Sequence, residues 1–408
     1  MKASEKQLVL GRRNALKMMG LGSAAMLSVG FSDIQAMEPP DMKPKAKPLM
    51  NEGNSPVAFT TGTDRQQMLF EVVKPFENEI KAGLKRKQLV IKPNMVVTNK
   101  ELCATHKDAI RALLEYLKPI YKGQIIIAES SSSVNSSDGF KNYGYTDLEK
   151  DYNIKFVDLN STGPGKPYYI IDKNLHLDRI EVADIFANPD YYVISICRPK
   201  THNSVVMTGG IKNIILAAPL NPGIVINGGR PISYKRNMHS GGPRFLHYNM
   251  FLLMQSIRPD FTIIDGVEGM EGNGPIGGTP VDHRIALAGF DAVAVDSMCA
   301  RLMGIPLENI GYLNYCASAG IGKMDRDKID ITGSKDPDKS VITYKLGSNI
   351  NNQLEWKEPL NLPGQGQRPP QPAPSTQTAP SAPAPPAPST QTAPAAPEQP
   401  ANPTTPKI

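Results

Sequence analysis

The densest group of residues able to do chemistry lies between positions 198 and 216. It begins Arg-Pro-Lys-Thr-His at Arg198, and Gly209-Gly210 stands ahead of Lys212. Lys200 and Lys212 supply positive charge, while His202 titrates near neutrality and can move a proton. A glycine pair just before a helix start is typical of an anion pocket, because free backbone N–H groups point at the ligand. The segment therefore predicts a site for an anion.

Three other polar clusters follow apolar runs that are typical of strands. They are Lys92-Pro93-Asn94, Glu129 with serines 130–133, and Asp265-Gly266 ahead of a Gly-rich loop from Gly269 to Gly278. Ligands bind past the carboxyl ends of strands in open α/β sheets, so we expect these clusters to converge. There His202 would move a proton, and Glu129 or Asp265 would orient it or bind a metal through oxygen. The residues expected to hold a substrate or cofactor are Lys92, Asn94, Lys200, Thr201, Gly209, Gly210, Lys212, Asn213, Asn273 and Gly274.

Each cluster also has a purely structural interpretation. Lys92 can be a solvated strand end, and the serines can be an ordinary polar loop. The glycines of the loop lack a phosphate-loop or dinucleotide pattern, and they can simply allow a tight turn. Further along, His239, Arg244 and His247 either cap the same site or lie on a surface loop. The sequence leaves these alternatives open.

The elements that would position these residues alternate between strand and helix. Apolar runs typical of covered parallel strands begin near residues 89, 124, 154, 191, 261 and 285. Helical spacing of apolar residues occurs from Asp64 to Lys85, from His106 to Ile120 and from Asp291 to Met303. This alternation predicts an α/β, Rossmann-like fold with a largely parallel sheet flanked by helices. It leaves open whether the body forms one lobe or two lobes with a cleft.

Composition excludes some classes of protein. The 408 residues are 40% hydrophobic and 21% charged, with a mild net charge of +6, so we expect no nucleic-acid partner. Cys103, Cys197, Cys299 and Cys316 form no C-x-x-C pair, which gives no support to a zinc ribbon or an iron–sulfur cluster. Disulfides in an oxidising compartment and buried thiols both remain open.

The two ends of the chain differ from its body. Residues 1–36 combine Arg12-Arg13, an uncharged apolar run and a small-residue end, as in a secretory signal. Residues 37–56 form a polar spacer, residues 57–362 a globular α/β domain, and residues 363–408 a Pro-, Ala-, Thr- and Gln-rich tail without a core. The tail is either an arm that contacts an envelope partner or a solvated segment.

The leader resembles a twin-arginine signal, with Arg12, Arg13, Leu16 and Lys17 kept but Ala15 in place of Phe. That resemblance implies the twin-arginine export machinery as a partner, export in the folded state and a periplasmic location. No stable transmembrane anchor is expected after cleavage, although an uncleaved N-terminal anchor is the alternative.

The motifs of the body resemble the domain-of-unknown-function 362 (DUF362) family. They occur in order at Lys92-Pro93-Asn94, at residues 198–202 and 209–213, at Asp265-Gly266 with residues 272–275, and at residues 291–296. Many members of that family carry a ferredoxin-type cysteine module, which this sequence lacks. The pairing of His202 and Lys212 around a glycine pair is also similar to the lactate racemase family, whose cofactor is a nickel-bearing nucleotide.

These observations allow three functions and slightly favour the first. The first is an enzyme that acts on a small carboxylate or phosphate. The second is a non-catalytic periplasmic protein that binds an anion or cofactor, and the third is an accessory to an iron–sulfur partner. The cofactor is open, with a nucleotide or a metal both compatible with the sequence, and no residue is assigned as a metal ligand.

Overall fold

A computed structural model describes residues 53–133, 135–224, 229, 231–333 and 335–360. The predicted signal peptide, most of the predicted spacer and the Pro-rich tail lie outside these residues. The predicted spacer ends at Pro56, but the first strand already begins at Ser55. This strand pairs with two other strands along its length.

The strands are β1 Ser55–Thr61, β2 Gln88–Lys92, β3 Ile125–Glu129, β4 Ile154–Asp158, β5 Lys166–Ile171, β6 Leu177–Val182, β7 Tyr191–Cys197, β8 Lys200–His202, β9 Val206–Thr208, β10 Phe261–Asn273, β11 Gly277–Gly289 and β12 Ile329–Thr332. The α-helices are α1 Arg65–Val73, α2 Glu77–Gly83, α3 Lys107–Leu117, α4 Ser137–Asn142, α5 Asp184–Ala187, α6 Gly210–Ile215, α7 Tyr234–His239, α8 Gly242–Met254, α9 Ala292–Leu302, α10 Gly311–Ser318 and α11 Ile350–Gln353. Short 3-10 helices connect several of them, at Lys74–Phe76, Glu101–Cys103, Tyr145–Lys150, Leu159–Ser161, Leu307–Asn309, Arg326–Lys328, Pro337–Ser340 and Leu354–Lys357.

One mixed sheet organises the described residues. Its order is β12-β1-β11-β10-β7-β2-β3-β4, with β8 added to β10 and β9 added to β8. The run β10-β7-β2-β3-β4 is parallel throughout, whereas β11 is antiparallel to both β10 and β1. A separate pair, β5 and β6, forms a small second sheet. The predicted α/β class and largely parallel sheet are confirmed, and a single main sheet replaces the two-lobe alternative.

Helices cover both faces of the sheet, which explains why its central strands are apolar on both sides. In β2, Leu89 and Ile91 join one core together with helices α1 to α3, while Val90 joins the other core with α6, α8 and α9. Because β2, β3 and β7 are parallel, their carboxyl ends meet at one edge of the sheet. The polar residues that follow those strands are therefore brought together.

Two local predictions need correction. The helix expected from Asp64 to Lys85 is broken into α1 and α2 by a 3-10 turn that contains Pro75, because proline cannot donate to the helical ladder. The Gly-rich loop expected from Gly269 to Gly278 is a long hairpin, in which β10 and β11 pair from Asn273 back to Thr262. Asp265 consequently lies inside a strand and not at its end.

No helix among the described residues is long and apolar enough to cross a membrane.

Candidate functional site

A buried polar network joins the ends of β2, β3 and β7 to helix α6. The Lys92 ammonium donates to Glu129 Oε2 at 2.9 Å and to Asn213 Oδ1 at 3.0 Å. The Asn213 amide in turn donates to Ser195 Oγ at 3.0 Å and to the Lys92 carbonyl at 3.1 Å. Burial lowers the pKa of Lys92, while the Glu129 charge opposes that change. Lys92 and Glu129, which the sequence predicted as a cation and a carboxylate of the site, are therefore paired with each other.

The same network continues to Lys200. Asn94 donates from Nδ2 to Asn213 Oδ1 at 3.1 Å and accepts from the Lys200 ammonium at its own Oδ1. Lys200 also donates to the Cys103 carbonyl at 2.8 Å. Burial lowers the pKa of Lys200 to about 8. The ammonium groups of Lys92 and Lys200 therefore donate to other groups of the protein. Such groups have a structural role, because removing one partner leaves an uncompensated buried charge.

Lys212 differs from both of these lysines. It lies on α6 with only 8% of its surface exposed, and its ammonium has no hydrogen-bond acceptor or ion-pair partner among the residues that the structure describes. Burial, followed by the charge of Lys200, lowers the pKa of Lys212 to about 7. An unpaired buried ammonium is unfavourable, so a substantial fraction of the amine is uncharged near neutral pH.

His202 is buried on β8 near Lys212. Its Nδ1 accepts from the Ser204 backbone N–H at 2.9 Å, which places the ring proton on Nε2 in the neutral form. Burial, and then the charge of Lys212, hold the pKa of His202 well below its ordinary value. Within the described part of the chain, Nε2 has no hydrogen-bond partner. His202 thus has an Nε2–H without an acceptor among the described residues, within electrostatic range of Lys212.

His239 lies at the exposed end of α7, and its Nδ1 bonds to the Lys235 carbonyl at 2.8 Å. Loss of solvent around the ring, and then the charge of Lys212, lower the pKa of His239. The Lys235 ammonium is buried but donates to the Leu216 carbonyl at 2.7 Å. His239 is exposed but within electrostatic range of Lys212, so both interpretations from the sequence stay open. We refer to Lys212, His202 and His239 as the Lys212 pocket.

The glycine pair has a different role from the predicted one. The Asp296 carboxylate accepts from Gly210 N at 2.7 Å and from Ile211 N at 3.0 Å, so the chain itself occupies the start of α6. A Cβ on Gly209 would lie 2.4 Å from Asp296 Oδ1, and one on Gly210 would lie 2.2 Å from Thr262 Cγ2. The two glycines are needed for close packing, and the expected open anion pocket at this helix start is wrong.

Asp265 does not join His202. Its carboxylate accepts from Arg65 Nε at 3.0 and 2.9 Å on the side of the sheet that faces α1. Glu129 is held by Lys92 and by the Ser130 backbone N–H at 2.6 Å. Neither carboxylate contacts His202 within the described residues, so the structure gives no support to their predicted role in orienting that ring. The error came from placing Asp265 at a strand end.

Several predicted binding residues make contacts within the fold. Thr201 Oγ1 donates to the Gly272 carbonyl at 2.8 Å, and Asn273 Oδ1 accepts from Ser348 N at 2.8 Å. The carbonyl of Gly274 accepts from Asn203 N at 2.9 Å, and a Cβ on Gly274 would lie 2.1 Å from the Thr201 carbonyl oxygen. These residues fasten the hairpin of β10 and β11 to β8.

The other residues that the sequence singled out lie apart from the pocket. His247 is buried in α8, where its Nδ1 accepts from Tyr312 N at 3.2 Å, and the guanidinium of Arg244 binds the Glu355 carbonyl at 2.6 Å. All four cysteines are free and buried, as the buried-thiol alternative predicted. The described residues contain no group of three or more histidine, cysteine or acidic side chains placed to hold a metal.

Sequence reasoning missed three residues of this region: Ser195, Lys235 and Asp296. Ser195 lies within β7 opposite Lys92, and a polar residue inside an otherwise apolar strand was a usable signal. Asp296 lies one helical turn inside α9, where a buried carboxylate needs a partner. Nothing in the sequence indicates that this partner is the start of α6, 86 residues away.

A second concavity lies elsewhere. A groove of about 540 Å³ runs between α1 and α3, lined by residues that include Phe70, Tyr116 and Glu77. The Glu77 carboxylate is held by Lys74 and Lys81 at 2.7 and 2.6 Å. The groove contains none of the predicted site residues, and its charges are neutralised locally.

Comparison with known proteins places the chain in a family. The "Thylakoid-associated protein sll1697" of Synechocystis sp. is 25% identical over 238 residues, which cover 58% of this chain and 68% of that protein. A crystal structure of a protein from Thermotoga maritima is similar with 12% identity and a TM-score of 0.34, over 64% of this chain and 60% of that one. The model of the family described as "Domain of unknown function (DUF362)" matches residues 89–301, which is more than half of the chain and includes the network and the Lys212 pocket. The protein therefore belongs to the DUF362 family.

Proposed function

We propose that this protein is an enzyme that binds a small carboxylate or phosphate in the Lys212 pocket. The observation that carries the proposal is the Lys212 amine, which is buried without an acceptor among the described residues and lies within electrostatic range of the buried His202 ring. An anion would accept from both groups and would draw a proton onto Lys212, since an opposite charge raises the pKa of a lysine. Lys200 and Lys235 add positive electrostatic potential, while their own ammonium groups donate to acceptors within the protein.

The geometry supports a division of roles between the two residues. His202 in its neutral form donates from Nε2, because Nδ1 is engaged by the Ser204 backbone N–H. It is then suited to stabilise negative charge on an oxygen, and less suited to accept a proton. Lys212, whose pKa is lowered to about 7, is suited to exchange a proton at neutral pH. The proton transfer that the sequence assigned to His202 is thereby reassigned to Lys212.

Anion binding is tested by thermal unfolding of the full chain with phosphate or oxalate. The wild type is expected to gain several degrees in Tm, and Lys212→Met to lose that gain. Lys235→Met is the matched control, since it removes a buried lysine of the same neighbourhood whose ammonium already donates to backbone carbonyls. An equal gain in the wild type and in Lys212→Met would contradict the proposal.

Catalysis is tested by following product formation by NMR from a panel of small carboxylates and phosphate esters. His202→Ala is expected to abolish turnover and to leave the far-UV circular dichroism spectrum unchanged. Native mass spectrometry with elemental analysis of protein from its own host would identify any bound nucleotide or metal. Turnover that survives in both His202→Ala and Lys212→Met would place the chemistry elsewhere.

A non-catalytic anion-binding protein is the second candidate. One observation favours it: neither Glu129 nor Asp265 contacts His202, so the described residues supply no carboxylate to assist the histidine. Thermal stabilisation by an anion without product from any member of the panel would support this function over the enzyme.

We further propose export to the periplasm by the twin-arginine route. The support is the Arg12-Arg13 leader, together with a relative whose name associates that protein with thylakoids. Cell fractionation of the full chain should recover it in the periplasm. A variant with Arg12→Lys and Arg13→Lys should remain in the cytoplasm, while the matched variant Lys2→Arg with Lys6→Arg should be exported. Export of the twin-lysine variant would exclude this route.

A further inference from the structure

The lysines around the site differ in what their amines contact. Lys92 donates to Glu129 and Asn213, Lys200 to Asn94 and the Cys103 carbonyl, and Lys235 to the Leu216 carbonyl. Acceptors of this kind orient an ammonium and favour its charged form. Lys212 is as deeply buried as Lys235, yet its amine has no acceptor within the described residues. No described residue therefore competes for the nitrogen lone pair of its uncharged form.

A buried amine beside other positive charges is the arrangement that activates lysine as a nucleophile toward carbonyl carbon. The charge of Lys200 acts on Lys212, and burial on α6 removes the water that would stabilise an ammonium. The Nε2–H of His202, which lies within electrostatic range of Lys212, is a donor suited to stabilise the negative charge that a carbonyl oxygen gains during attack.

We infer that Lys212 forms an imine with the carbonyl of a small 2-oxo acid. This inference rests on the proposed anion site, because the carboxylate of such an acid is the anion that the pocket would hold. The amine nitrogen attacks the carbonyl carbon and a C–N bond forms. The resulting carbinolamine loses its oxygen as water, taking up the two protons that leave nitrogen, so that one water is released and nothing is oxidised or reduced.

The test is reductive trapping on the full chain. The protein is incubated near pH 7 with pyruvate or glyoxylate and cyanoborohydride, which converts an imine into a stable secondary amine. Intact mass and peptide mapping are expected to show one adduct per chain, located at Lys212. Lys212→Arg keeps the positive charge but cannot form the adduct, and Lys235→Arg should still be labelled at Lys212.

Peptide mapping of the wild type keeps the inference falsifiable even if Lys212→Arg fails to fold. Labelling confined to exposed lysines, or spread equally over Lys212 and Lys235, would overturn the inference. Stabilisation by phosphate or oxalate without an adduct at Lys212 would overturn the imine and leave the anion site standing. Absence of both stabilisation and adduct would overturn the two proposals together.

Discussion

Two neighbouring regions of this protein bury lysines in opposite ways. In the network of Lys92, Glu129, Asn213, Asn94 and Lys200, each ammonium is met by carboxylate, amide or carbonyl oxygens. In the Lys212 pocket, the amine and the Nε2–H of His202 have no such partners within the described residues. Both regions contain buried lysines, and the helix Gly210–Ile215 carries a residue of each, Asn213 and Lys212. Hydrogen-bond partners mark the first region as structural, and their absence among the described residues is what makes the second region the candidate for a ligand.

The largest expected effect comes from breaking the network. Lys92→Met leaves the Glu129 carboxylate buried without its cation, which costs about 3–5 kcal/mol in the free energy of unfolding. Urea unfolding at neutral pH measures the loss. The double variant Lys92→Met with Glu129→Gln should recover part of it. A loss under about 1 kcal/mol, the range of an exposed pair, would contradict the assignment of a structural ion pair.

Helix α6 carries one residue of each region, Asn213 and Lys212, so moving it should disturb both. Gly210→Ala places a Cβ 2.2 Å from Thr262 Cγ2, and we expect overpacking to cost about 1–3 kcal/mol. Gly53→Ala is the control, since no atom lies within 4 Å of its Cβ position. The free energy of unfolding measured in urea and the anion-induced rise in Tm should both be smaller in Gly210→Ala than in the wild type. Equal stability of the two variants would contradict the packing argument.

A direct comparison of the two kinds of lysine uses Lys235→Met and Lys212→Met. The first variant leaves the Leu216 carbonyl without its donor, with an expected loss of about 1–2 kcal/mol. The second removes a buried amine that has no acceptor among the described residues, so the free energy of unfolding should stay equal or increase. Chemical unfolding of both variants at pH 7 measures the difference. A larger loss for Lys212→Met would show that its amine has a structural partner.

The last effect, which is small within any one pH unit, concerns the pH dependence of stability. The pKa of Lys212 falls from 10.5 in the unfolded chain to about 7 in the folded protein. Between these values the unfolded state binds more protons, so this residue makes stability rise with pH from about 7 to 10. Lys212→Met should flatten that rise by up to about 1.4 kcal/mol per pH unit, with Lys200 and Lys235 still contributing to it. An unchanged slope would mean that the folded protein keeps Lys212 charged.

The sequence predicted much of the fold and the ingredients of the site. Apolar runs located β2, β3, β4 and β7, and the rule that ligands bind past strand ends brought Lys92, Glu129 and Lys200 to one place. The sequence did not distinguish a paired lysine from an unpaired one, because hydrogen-bond partners such as Asn213 and Ser195 belong to elements that are distant along the chain. It misplaced Asp265 because a glycine-rich stretch suggests a turn, whereas cross-strand pairing extends β10 well beyond that residue.

Other sequence-based predictions remain predictions. The likenesses to a twin-arginine signal and to lactate racemase are not tested by the fold, and the leader and the tail lie outside the described residues. The same is true of the envelope partner suggested for the tail and of an iron–sulfur partner.

The contact between Asp296 and the start of α6 also has a consequence for how the protein folds. Six residues are too few to stay helical in isolation, so α6 depends on a carboxylate that follows it by 86 residues along the chain. Contacts of such long sequence separation form slowly, because a large loop must close before they contribute. The Lys212 pocket should therefore mature late, after α9 has been synthesised and docked. A nascent chain that ends before α9 would contain every residue of the pocket and still lack the carboxylate that holds the start of α6.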